Sequence, residues 1–110
     1  GGHSRVGDPG WRLTDTTMPP LSPLYMSSLF VYDRENHTMT AEASELGAAF
    51  APSSGAMDVP AIRIRSARTD RIVEYTLDDI EVSNGEYDAW VFKPVDKTDS
   101  TLPTVVVFND

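Results

Sequence analysis

Apolar and polar residues alternate over most of the chain from Leu29 onward, which is the period of a strand with one buried face. The cleanest case is "AIRIRS" (61–66), where Ile62 and Ile64 share one side and Arg63 and Arg65 the other. "RIVEYTLD" (71–78) repeats it, placing Val73, Tyr75 and Leu77 on one face and Glu74 and Thr76 on the other. A turn at "ARTD" sets Ile64 against Val73 and Ile62 against Tyr75. It also sets Arg63 against Glu74, an opposite-charge cross-strand pair. An antiparallel hairpin is predicted here, with its apolar residues buried and Arg63 and Glu74 exposed.

Two further hairpins follow from the same pattern. "LFVYD" (29–33) and "TMTAEA" (38–43) flank the turn-like "RENH", which pairs Tyr32 with Met39 and Phe30 with Ala41 on one face. "DIEVSNGEYDAWVFKPV" (79–95) contains Asn84-Gly85, a strong short-range hairpin signal. A two-residue loop would set Glu81 opposite Asp88, which repel. A three-residue loop, Asn84 to Glu86, pairs Ile80 with Trp90 instead and is preferred. "ASELGAAF" (43–50) reads as one or two helical turns, and "APSSGAMDVP" (51–60) as a loop.

Near the C-terminus "TVVVFND" departs from alternation. Val105 to Phe108 are all apolar, and such a run is normally covered on both faces. It is expected in the interior of a small barrel or sandwich, or buried by a second subunit. Residues 1–24, with Pro19, Pro20 and Pro23, read as a flexible or extended leader whose Trp11 and Leu13 pack down onto the domain. Residues 25–110 then form a single all-β domain. The expectation is a β-dominated, hairpin-rich small barrel, roll or sandwich of about six to seven strands, with at most one short helix.

Composition narrows the function classes. The chain has 110 residues, 40% apolar and 24% charged, ordinary values for a globular domain. Its 17 acidic residues outnumber 9 basic ones, giving a net charge of −8. A duplex-binding protein needs a cationic surplus against phosphates, so nucleic acid is not an expected partner. An anionic membrane surface is disfavoured for the same reason. The chain contains no cysteine, which excludes disulfides, thiolate nucleophiles and cysteine-ligated zinc.

The sequence offers few residues with the pattern that chemistry requires. Asp33 and His37 would need a serine held in a strained nucleophile turn to form a triad, and no such turn is present. His37 is read as a solvated turn residue. Asp78, Asp79, Glu81, Glu86 and Asp88 are rich in carboxylates but lack the spacing of a calcium loop, so no metal and no cofactor is expected.

The most unusual feature is basic. Arg63, Arg65, Arg68 and Arg71 hold four of the nine positive charges within nine residues. Arginine forks suit phosphate and carboxylate, which makes this group a candidate anion patch. The competing reading is a solvated face of cross-strand ion pairs. The expectation is therefore a non-catalytic β domain acting through protein contacts, including with itself. The alternative is a small-ligand or anion-binding domain, and a carboxylate-dependent hydrolase ranks below both.

Overall fold

The computed structural model describes residues 10–17, 29–46 and 61–110. The loop 51–60 and most of the expected leader lie outside the described residues. Seven strands form one curled sheet, a half-barrel: β1 (Trp11–Thr17), β2 (Val31–Asp33), β3 (Thr38–Glu42), β4 (Ala61–Ser66), β5 (Arg71–Ser83), β6 (Glu86–Pro94) and β7 (Thr104–Phe108). Their order across the sheet is β1-β4-β5-β6-β7-β3-β2. A 3₁₀ turn, Ala43–Leu46, follows β3.

The β4–β5 hairpin has the expected register: Ile62 opposite Tyr75, Arg63 opposite Glu74 and Ile64 opposite Val73. The four apolar residues are buried. Arg63 is less exposed than expected, because its guanidinium is held between Asp15 of β1 and Glu74. In the β2–β3 hairpin, Tyr32 pairs with Met39 and Val31 with Thr40, again as the alternation implies.

The β5–β6 hairpin reaches the expected Ile80–Trp90 pair by a different route. Its loop is the two-residue Asn84-Gly85 turn, with Ser83 opposite Glu86 and positive φ at both Asn84 (51°) and Gly85 (79°). The register then slips by one residue at Asp88, so Glu81 faces Ala89 and the like-charge pair never forms. The carbonyl of Asp88 accepts the backbone N–H of Asn109 at 2.9 Å. A second slip at Asp78 restores the register to Leu77 opposite Phe92. Bulges bend and twist a strand, and this pair lets the 13-residue β5 curl around the core.

Where it is described, the expected leader is extended and supplies a strand of the sheet: β1 pairs antiparallel with β4 from Trp11–Ser66 to Thr17–Ala61, and Trp11 and Leu13 pack into the core as expected. One expectation is corrected. The stretches 71–78 and 79–83, read apart because Asp78 interrupts the alternation, are one strand.

β7 lies inside the sheet, antiparallel to β6 and parallel to β3, so both of its hydrogen-bonding edges are occupied. Val105 and Val107 are fully buried on the concave side. Val106 is only half-buried and Phe108 is exposed, so the run is covered on one face rather than two.

Curling brings the two edge strands together. Arg12 bridges Leu29, and Phe30 donates its N–H to the Trp11 carbonyl at 2.9 Å. The enclosed core contains Trp90, Tyr75, Phe30, Phe92, Leu13 and Met39, each burial stabilising by roughly 1.5–3 kcal/mol.

Candidate functional site

The registers of β1, β4 and β5 place Trp11, Ser66 and Arg71 side by side at one end of the half-barrel. That end is completed by the β4–β5 turn, the β2–β3 turn and the β6–β7 loop. Together they enclose a cleft of about 520 Å³, lined by Trp11, Tyr32, Arg34, Ser66, Arg68, Thr69, Arg71, Thr101, Leu102 and Pro103.

Each wall is fixed by local chemistry. In the β4–β5 turn, the Asp70 N–H donates to the Ser66 carbonyl at 2.7 Å, and Asp70 adopts φ 56°. Ala67 donates its N–H to the Gly10 carbonyl at 3.1 Å, tying the turn to the entrance of β1. Gly10 has φ 68°, and a Cβ there would lie 3.1 Å from the Ala67 Cβ, so the position favours glycine on both counts.

In the β2–β3 turn, the Asp33 carboxylate accepts the N–H groups of Glu35 and Asn36 and the Asn36 side-chain amide, the last at 2.7 Å. The Asn36 side chain and its backbone N–H hold the Asp33 carboxyl below the usual range. Arg34 sits in this turn and reaches the cleft. His37, at φ 54°, closes it. Its Nε2 lies 3.1 Å from the Ser100 carbonyl, which only accepts, so Nε2 carries the proton. Thr104 donates its N–H back to the His37 carbonyl at 3.1 Å, so the two loops brace each other.

The β6–β7 loop is built on two aspartates. Asp96 caps Thr98, and Asp99 caps Thr101 through both its N–H and its hydroxyl. The second oxygen of Asp99 accepts from Arg71 at 2.6 Å. The Thr101 hydroxyl, and after it Arg71, bring the Asp99 carboxyl down to about 2. Beneath the loop, the Tyr75 hydroxyl donates to the Pro103 carbonyl at 2.8 Å, and burial raises its pKa.

The candidate anion patch therefore divides. Arg63 and Arg65 lie on the convex side in ion pairs, Arg63 with Asp15 and Glu74 and Arg65 with Asp70. Arg68 and Arg71 line the cleft instead. They are joined there by Arg34, which sequence reasoning missed. Neither Arg34 nor Arg68 has an ion-pair partner among the described residues.

The carboxylate-rich hairpin does not gather a metal site: among the described residues no three His, Asp or Glu side chains come together as a ligand set. Nor do Asp33 and His37 form a relay. The Asp33 carboxylate is occupied by the turn, and the ring Nε2 faces a main-chain carbonyl.

No family model matches the sequence, and no match was found among curated proteins or solved structures.

Proposed function

We propose that this protein is a non-catalytic binding domain that takes a small anion into the cleft at the end of its half-barrel. The observation that carries the reading is the convergence of Arg34, Arg68 and Arg71 on one concave site of about 520 Å³. That volume falls within the range of small-molecule pockets. In a chain of net charge −8, three guanidiniums lining one cleft make a local positive field that draws anions there. Arg34 and Arg68 have no carboxylate partner among the described residues, and each guanidinium carries five N–H donors suited to an anion.

The test is thermal melting with and without millimolar phenyl phosphate. A ligand held by the native state alone raises the melting temperature by mass action. The rise is expected in the wild type and lost in an Arg34→Gln/Arg68→Gln variant. A wild type whose melting temperature stays fixed across phenyl phosphate, citrate and benzoate would contradict the reading.

Self-association is the second reading, and a row on the convex face favours it. Val31, Thr40, Val106 and Val91 are direct neighbours across β2, β3, β7 and β6. Val31 is 50% exposed at the end of that row, and Phe108 stands 40% exposed on the same side. A second copy of the chain laid against this row would cover the face of β7 that the fold leaves open.

A further inference from the structure

We infer that the cleft selects an organic dianion: one doubly charged head, such as a phosphate monoester, carried on an apolar or aromatic body. This rests on the anion-binding reading above and adds the chemical class of the ligand.

The division of the lining into floor and rim supports it. Trp11 and Leu102 are each only 7% exposed, and Pro103 and Ser66 are also buried, so the floor is largely apolar. Tyr32 is half-buried against the core beside them. Arg34, Arg68, Thr69, Arg71 and Thr101 are all exposed and make the rim. An inorganic ion held by the rim would leave the floor wet. An amphiphilic anion places its body on Trp11, Tyr32 and Leu102 and its head among the guanidiniums, matching each surface to its own chemistry.

Charge sets the head. Among the described residues, three guanidiniums line the cleft and one carboxylate, Asp99, is paired with them, a surplus of two positive charges. A phosphate monoester carries a charge between about −1.5 and −2 at neutral pH. A monoanion would leave one guanidinium uncompensated. Arg71 is already oriented by Asp99 at 2.6 Å, so it presents its remaining N–H groups at a fixed place, while Arg34 and Arg68 close from the two facing turns.

Isothermal calorimetry at pH 8 with three probes separates the parts of this inference: phenyl phosphate, phenyl sulfate of like shape but single charge, and inorganic phosphate, which lacks the body. Phenyl phosphate is expected to bind on the order of tenfold more tightly than either, the scale of one charge-assisted hydrogen bond. Arg34→Gln and Arg68→Gln should each reduce that affinity, and Arg65→Gln on the convex side should not. Phenyl sulfate binding as tightly as phenyl phosphate would overturn the dianion while leaving anion binding intact. Inorganic phosphate binding as tightly as the ester would overturn the role of the apolar floor. Absence of heat with all three probes, in a protein shown to be folded by its amide spectrum, would remove the underlying reading as well.

Discussion

The guanidinium of Arg71, at the first residue of β5, lies 2.6 Å from the carboxylate of Asp99 in the β6–β7 loop. The contact ties the cationic rim of the cleft to the loop that forms its opposite wall. Arg71 thus both braces the β6–β7 loop and lines the cleft.

Acid should loosen this tie. The Asp99 carboxyl is lowered to about 2, so the stability it contributes is fully present above the ordinary aspartate range and is lost as pH falls through about 2. Asp33, Asp96 and Asp110 are lowered too, by Asn36, Thr98 and Ser44 respectively, and act in the same sense. Asp99→Asn should therefore flatten part of the fall in melting temperature between pH 4 and pH 2. At pH 7 the same variant should bind phenyl phosphate more tightly, because neutralising the carboxylate paired with Arg71 raises the positive charge of the cleft by more than the lost orientation of Arg71 costs.

The Tyr75 hydroxyl anchors the cleft from below. Tyr75→Phe keeps the ring in the core but strands the Pro103 carbonyl, and should cost about 1–3 kcal/mol by urea unfolding. A change near zero would mean that water or a loop shift replaces the bond.

Gly10 should resist substitution because of its backbone. Gly10→Ala forces a side chain into positive φ and against the Ala67 Cβ, at about 1–2 kcal/mol for the conformation alone. Its effect should reach the indole resonance of Trp11, the next residue, before that of Trp90, which lies deep in the core.

The two faces of β7 should respond oppositely to charge. Val107→Lys places an ammonium in the core and should unfold the domain, whereas Val106→Lys lies on the half-buried convex side and should fold. Light scattering coupled to size exclusion then tests self-association. If the wild type is a dimer and Val106→Lys a folded monomer, the convex row is the contact. If both have the mass of one chain, that reading is wrong.

Much of the sheet was legible because alternation survives wherever one face meets the core and the other meets water. The β4–β5 register followed from Ile62, Ile64, Val73 and Tyr75 alone. Bulges hid the rest. Asp78 breaks the alternation of β5, so one strand reads as two, and Asp88 carries a register shift that the turn sequence does not announce. β1 has alternation of its own in Trp11, Arg12 and Leu13, but the irregularity between Leu13 and Asp15 and the neighbouring prolines obscure it.

The cleft was half legible. Arg71 shares its parity with buried Val73 and Tyr75, which places it on the concave side, and Arg63 and Arg65 have the opposite parity to Ile62 and Ile64. Parity alone could therefore have split the arginine group. Arg34 gave no such signal, because only the curl that joins the β1 and β2 edges of the sheet brings its turn to the same cleft as the start of β5.

The most direct test of the cleft as the binding site is an NMR titration of the wild type with phenyl phosphate, followed by nuclear Overhauser contacts from the bound ring. The chain has two tryptophans, one lining the cleft and one in the core, so their two indole N–H signals form an internal comparison. Saturable movement of the Trp11 signal, a still Trp90 signal, and ring contacts to Trp11, Tyr32 and Leu102 are the predicted result. Contacts confined to the convex side near Arg63 and Arg65, with Trp11 unmoved, would contradict it.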